Sequence, residues 1–383
     1  MIWEKVREQF PINKNFIFLD LATKCALPLF NTDIIKEYIQ KQQDYSGDKR
    51  EWINKVKETR ENVATMINAH PDEIAFTKNT SEGLNIISNG IDFNPGDNIV
   101  LNELEHPNNV YCWKNLEEKG VEIRWVKARD GKVLLDDLKK VVDNSTRVVA
   151  LAHVNYSPGS KNDLKSIANF CRKHDIYTVI DAVQAVGTIN VNVKSLGVDM
   201  LCTSGHKALF VPHGVGILYI RREHIQAIRP MFVARSSMKQ ETSIEHDSVT
   251  YELNITSTAK RCEIGNYNYL GLTALNESVN FLMGIGMEKV EERIMELNSH
   301  LTKNLLKEGI NVLSPVSGFS RSSIVSFYTD DTKALYEWLL ERNVITNFRR
   351  NTIRVSFGIY NNEKDIDSFI KLIKEYNSSK RFL

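Results

Sequence analysis

Seven short apolar, β-branched runs recur between residues 73 and 220, separated by stretches with amphipathic-helix spacing. The runs are Glu73–Thr77, Asn98–Leu101, Val121–Val126, Arg147–Ala152, Tyr177–Asp181, Asp199–Thr203 and Gly214–Ile220. Helical patterns cover Thr80–Asn89, Asp136–Val142 and Leu164–His174. A strand that is apolar along its whole length has to be covered on both faces, and helices in the crossovers of a parallel sheet supply that cover. The expected fold is therefore α/β, with a mostly parallel sheet of the seven-stranded type. From about residue 275 the pattern changes. A helical stretch over Asn276–Glu308 precedes a strand at Ser322–Tyr328, a helix at Thr332–Arg342, a strand at Thr352–Ser356 and a helix at Asn362–Tyr376. That reads as a smaller α+β unit. The division expected is a large unit over residues 16–274 and a small one built from 1–15 and 275–383.

A chain of 383 residues can bury a large core and divide in this way. The 49 Lys+Arg nearly cancel the 48 Asp+Glu, for a net charge of +1, so charge gives no reason to expect nucleic acid or an anionic membrane as a partner. The pair Arg349-Arg350 reads as solvated or as a binder of one anion. No apolar run reaches membrane-spanning length, and the charged, helix-like start lacks a basic-then-apolar signal pattern, which makes the cytoplasm the expected location. Cys25, Cys112, Cys171, Cys202 and Cys262 are scattered without CxxC spacing, so reduced thiols are expected and no metal site.

Four segments carry chemistry. In Ser204-Gly-His-Lys207, a lysine follows a histidine in a small-residue turn; a lysine amine forms Schiff bases with carbonyls, and burial tunes its pKa. Asp181 ends an apolar strand, where a carboxylate is costly without a cationic partner, and Gln184 follows one turn later. Thr77-Lys-Asn-Thr80-Ser81 follows a strand and opens a helix, an arrangement that favours a phosphate. In Glu105-His106-Pro-Asn-Asn109, a histidine lies just past a strand end, where an open α/β sheet places its ligands. Taken singly these would be a loop lysine, a helix cap, an N-cap and a surface histidine. Together they are the protein's share of pyridoxal 5′-phosphate (PLP) chemistry, in which a lysine and a carboxylate hold opposite ends of an electron-withdrawing ring.

In order and spacing, Asn79-Thr-Ser-Glu, Glu105-His106-Pro-Asn-Asn, Asp181-Ala-Val-Gln184-Ala, Ser204-Gly-His-Lys207 and the run from Gly214 match one family. The chain resembles the class V aminotransferases of fold-type I PLP enzymes, within the group that contains cysteine desulfurases and selenocysteine lyases. The likeness extends from about Phe18 to Asp365. It implies that Lys207 is the Schiff-base lysine, that Asp181 pairs with the pyridine nitrogen, and that His106 stacks on the ring. Gln184 would contact the ring's O3′, while Thr80, Ser81, Ser204 and His206 would form the phosphate cup. Arg354 matches the family arginine that takes a substrate α-carboxylate, a task its fork geometry suits. A homodimer with a shared active site is also implied.

Three departures qualify the resemblance. Desulfurases of the group carry a nucleophilic cysteine in a loop shortly before this arginine, but Glu341–Arg354 holds no cysteine and leaves no length for an extended loop. Tyr156, after Asn155, replaces an asparagine expected near cofactor and substrate. Asn266 stands where a threonine would reach the partner subunit's phosphate. The expectation is a PLP enzyme acting on an amino-acid-like substrate by transamination, C–S lysis or epimerisation, with substrate contacts from Arg354, Tyr156 and Asn155. Its rivals are a desulfurase using a displaced cysteine, Cys25 or Cys262, and a non-catalytic scaffold.

Overall fold

The structure, a computed structural model, describes residues 2–239 and 252–380. In chain order its strands are β1 (Ile17–Phe18), β2 (Ile74–Thr77), β3 (Asn98–Asn102), β4 (Glu122–Val126), β5 (Thr146–Ala152), β6 (Tyr177–Asp181), β7 (Met200–Ser204), β8 (Gly216–Ile220), β9 (Asn311–Val312), β10 (Ile324–Tyr328), β11 (Val344–Ile345), β12 (Asn347–Arg349) and β13 (Thr352–Ser356). Strands β2 to β8 form one seven-stranded sheet in the order β2-β8-β7-β6-β5-β3-β4. Every pairing from β7 through to β4 is parallel, and β8 alone runs antiparallel to both of its neighbours. The expected mostly parallel α/β sheet is therefore present.

Alternation of side chains explains why these runs are apolar throughout. Within β5, Val149 and Leu151 enter one hydrophobic cluster while Val148 and Ala150 enter another on the opposite face. Strand β8 divides in the same way, Ile217 and Tyr219 on one side and Leu218 and Ile220 on the other. Each such side chain contributes about 1.5–3 kcal/mol when fully buried.

The smaller sheet is antiparallel, β12-β13-β10-β9. Its Val325, Phe327, Ile353 and Val355 share a third cluster with Leu297 and Leu301 of helix Met287–Lys307, Leu335 and Leu339 of helix Thr332–Glu341, and Ile366 and Phe369 of helix Glu363–Lys380. Where the sequence pattern predicts one helix over Asn276–Glu308, there are two, Tyr269–Ile285 and Met287–Lys307. Gly286 separates them at φ 94°, a backbone conformation glycine adopts without steric cost. Residue 274 lies inside the first helix, whose Leu272, Leu275 and Leu282 pack on the larger unit. The N-terminal helix Ile2–Glu8 reaches the other end of the chain, because Arg7 donates from both terminal nitrogens to the Asp365 carboxylate at 2.7 and 2.8 Å.

What this topology does for function is geometric. In sequence, β4 lies on one side of β3 and β5 on the other, so the winding reverses and a crevice opens beyond the strand ends. Thr77, Asn102, Ala152, Asp181 and Ser204 are the last residues of β2, β3, β5, β6 and β7.

Candidate active site

Three of those strand ends, Ala152, Asp181 and Ser204, line a cavity of about 610 Å³. Thr80, Ser81, His106, Tyr156, Asp181, Gln184, Ser204, His206, Lys207 and Arg354 all line it. Ten site residues named from the sequence thus converge on one space. Asn155 and Asn266 do not line it.

Thr80 is the first residue of helix Thr80–Gly90, whose N-cap Asn79 accepts from Glu82 N–H through its side chain. The Thr80 backbone N–H donates to Ser204 Oγ at 3.0 Å, and the two hydroxyls lie 2.8 Å apart. A helix N-terminus is thereby joined to the end of β7, and both hydroxyls belong to the cavity wall, a donor set suited to a phosphate. Gly216 permits the close approach of β8, since a Cβ there would lie 2.8 Å from the Asn79 backbone. His206 stacks on His213 with ring centroids 4.5 Å apart, and burial, then nearby Lys207, lowers its pKa to about 4.

Lys207 lies three residues past the end of β7, the strand paired beside β6 with its terminal Asp181, and both residues line the cavity. Burial brings the Lys207 ammonium down from 10.5 to about 8; Asp181 opposes that drop, while Arg354 and Arg349 add to it. Asp181 is also buried, and desolvation holds its carboxyl above the usual carboxylate range. Its Oδ1 accepts from Val183 N–H at 3.0 Å, and Oδ2 has no hydrogen-bond donor among the described residues. A buried carboxylate left so under-satisfied fits the protonated ring nitrogen of PLP. Gln184 fixes its amide by donating to Ala22 C=O at 2.9 Å. His106 is half-buried, its Nδ1 accepts from Asn108 N–H, and its ring meets Tyr156 edge-on at 4.9 Å. Burial, with Lys207, Arg349 and Arg354 around it, lowers its pKa to about 4. That shift favours the neutral imidazole near pH 7.

Arg354, on β13 and 1% exposed, lines the same cavity. Its Nη1 donates to Tyr156 C=O at 2.8 Å and its Nη2 to Thr23 Oγ1 at 2.6 Å, with Asp20 Oδ1 at 3.4 Å. Its Nε is buried without an acceptor. Asn155 turns into its own loop, where Nδ2 donates to Ser160 Oγ at 2.9 Å. Asn266 is exposed and lines a neighbouring hollow that shares Lys78 and Gly214 with the cavity.

Sequence reading assigned no individual role to Asp20, Thr23, Glu105 or His213, and it left the Arg349-Arg350 pair as solvated or as a binder of one anion. Glu105 is buried beneath the site, accepting from Asn102 and Asn109 side chains and from Ala152 N–H, which ties the ends of β3 and β5 together beside His106. Burial, followed at a distance by Asp181, raises its pKa to about 7. Its position just before His106 was the one available sequence signal. Thr23 and Asp20 carried none.

The segment where a desulfurase cysteine would stand is a tight hairpin. β12 passes to β13 through Arg350 and Asn351 at φ 47° and 55°, the backbone of a two-residue primed turn. Cys112, Cys171, Cys202 and Cys262 are buried. Cys25 is partly exposed, but its Sγ lies 3.6 Å from Val211 C=O, it is not among the cavity-lining residues, and burial raises its pKa to about 11.

Residues 34–369 match the family model for class-V aminotransferases. An uncharacterised aminotransferase of Schizosaccharomyces pombe is 31% identical over 385 residues, covering 96% of this chain and 94% of that protein. A probable cysteine desulfurase of Methanothermobacter thermautotrophicus is 30% identical, covering 78% of this chain and 74% of its own. Among solved structures, the apo cysteine desulfurase of Thermococcus onnurineus NA1 superposes with a TM-score of 0.88 at 25% identity, over 97% of both chains. The cystine C–S lyase C-DES, in complex with cysteine persulfide, gives 0.86 at 22% identity over 95% of this chain and 99% of its own, a likeness of fold. The chain belongs to the class-V aminotransferase family. It is a PLP-dependent enzyme of fold type I.

Proposed function

We propose that this enzyme removes the Cα proton of an α-amino acid with Lys207 as its base, and expels a β-substituent where the amino acid carries one, without relaying sulfur through a protein thiol. The observation that carries this reading is a cavity that holds an amine of lowered pKa and is lined by no cysteine. When bound, PLP supplies an electron sink for the pair left on Cα. Asp181 would hold the ring nitrogen protonated, Thr80, Ser81, Ser204 and His206 would hold the phosphate, and His106 would cover one ring face. Arg354, already seated by Thr23 and the Tyr156 carbonyl, would turn its fork to the α-carboxylate. Lys207, near 8, exchanges protons at physiological pH and suits both withdrawal from Cα and return.

A homodimer completes this reading. Asn266, exposed next to the hollow that borders Lys78, would donate to the partner's cofactor phosphate. Five unpaired cysteines favour a reducing cytoplasm. Among the described residues no helix is long and apolar enough to cross a membrane.

The test is Cα-proton exchange in D2O, followed by NMR across a panel of amino acids, because exchange precedes every later outcome. Deuterium should enter Cα of at least one substrate and none should enter with Lys207→Ala. Pyruvate from an S-substituted cysteine would identify a lyase and a 2-oxo acid with retained carbon skeleton a transaminase. No exchange with any amino acid by PLP-loaded enzyme would reject the proposal.

A further inference from the structure

Beside Arg354 the cavity wall carries a second guanidinium that the chemistry above does not use. Arg349 ends β12, half-buried, and lines the same cavity. The register of the hairpin pairs Asn347 with Arg354 and Arg349 with Thr352. Directly opposed residues share a sheet face, and so do residues two apart on one strand, so Arg349 and Arg354 project from one face as diagonal neighbours, about 7–8 Å apart. Arg349 Nε donates to Asn347 Oδ1 at 3.3 Å, and its two terminal nitrogens have no protein acceptor among the described residues. No carboxylate of the described residues pairs with it within 4 Å, whereas Arg354 has Asp20.

Tyr156 completes the feature. Its ring is buried, with the Arg349 guanidinium 5.2 Å and the Arg350 guanidinium 5.5 Å from its centroid. A cation held against an aromatic face is oriented without being neutralised. The cavity wall holds four cationic side chains, Lys78, Lys207, Arg349 and Arg354, against one carboxylate, Asp181. A phosphate at the Thr80 end and an α-carboxylate on Arg354 leave Arg349 as a half-buried cation with no carboxylate partner among the described residues.

We propose that Arg349, steadied by Tyr156, is a specificity residue that binds a second acidic group on the side chain of the substrate, so that the enzyme acts on amino acids with a distal carboxylate or similar anion. This rests on the reading of the cavity as an amino-acid site. Two arginines on neighbouring positions of one sheet face, both lining one cavity, can each take one carboxylate of a single small molecule, and a fork left unpaired penalises the neutral analogue.

The experiment uses the PLP-loaded enzyme and two matched comparisons. Calorimetric titration with glutarate and with pentanoate reads binding alone; Cα exchange with L-glutamate against L-glutamine, and with S-carboxymethyl- against S-carbamoylmethyl-L-cysteine, reads selectivity. Glutarate should bind about ten- to a hundredfold more tightly than pentanoate, the loss expected for a hydrogen-bonded charge. The acidic member of at least one amino-acid pair should exchange faster by a similar factor. Arg349→Gln should erase both preferences and Arg349→Lys should keep part of each, which separates loss of an anion contact from a damaged hairpin. Equal binding of glutarate and pentanoate, or a preference that survives in Arg349→Gln, would overturn the inference while leaving the Cα chemistry intact. Failure of every amino acid to exchange would instead strike the reading on which it rests.

Discussion

Replacing Lys207 with methionine should make the cofactor-free protein more stable at neutral pH. The side chain is mostly buried, and desolvation drops its pKa from 10.5 to about 8 even though Asp181 pulls the other way. The unfolded chain therefore holds this proton more tightly than the folded one. Below pH 8 both states are protonated and folding bears the full cost of burying the ammonium, about 3 kcal/mol, which residual solvent contact reduces towards about 2 kcal/mol. Between pH 8 and 10.5 the folded lysine is already neutral while the unfolded one still binds a proton, so the cost fades as pH rises. Methionine matches the apolar stem without the charge. Urea unfolding of cofactor-free wild-type and Lys207→Met protein should show the variant ahead by about 2–3 kcal/mol at pH 7, with the gap closing by about pH 10. A gap independent of pH, or a methionine variant less stable at pH 7, would refute the argument that the site holds a destabilised amine. The same substitution should abolish Cα exchange, so a charge that weakens the fold is retained for its chemistry.

Ser204→Ala removes a hydroxyl from the Thr80 end of the cavity and should weaken PLP binding about ten- to a hundredfold, the loss of one hydrogen bond to a charged group, measured by fluorescence titration of the apoprotein. Cys25→Ser should leave exchange and product formation within about twofold of wild type, because the thiol is turned to Val211 C=O and held protonated; a loss of sulfur release would revive the displaced-cysteine desulfurase. Gly187→Ala should destabilise the protein by at least about 2 kcal/mol, since φ is 93° and a Cβ would lie 2.4 Å from Ala208 C=O, next to Lys207. Thermal unfolding of the apoprotein checks that, and an unchanged Tm would contradict it.

Much of the sheet was legible because its signals are local. Tyr177–Asp181 was read to the residue, and the other six runs were placed within two residues of either end. The single helix over Asn276–Glu308 was misread because its apolar spacing continues across Gly286, and only the φ of 94° adopted there breaks it. The cavity shows the same division. Thr80, His106, Asp181, Ser204 and Lys207 sit at or just beyond strand ends, and a parallel sheet gathers such ends on one edge. Asn155 also follows a strand end, yet its amide satisfies Ser160 in the same loop, a choice that depends on local packing and not on sequence order.

What the chain determines by itself is therefore the α/β alternation, the order of the strands' active ends and the residue types placed there, since each depends on neighbours a few positions away. Tertiary structure alone decided that Asp20 and Thr23, more than 330 residues before Arg354, would hold its guanidinium. It also decided that of two adjacent arginines in a polar hairpin, Arg349 would line the cavity and Arg350 would lie exposed. The physical reason is that a charged side chain's surroundings are set by which segments dock against it. Periodicity places a strand in a layer, whereas the partner of a guanidinium comes from wherever the fold brings a carboxylate, a carbonyl or an empty pocket within about 3 Å.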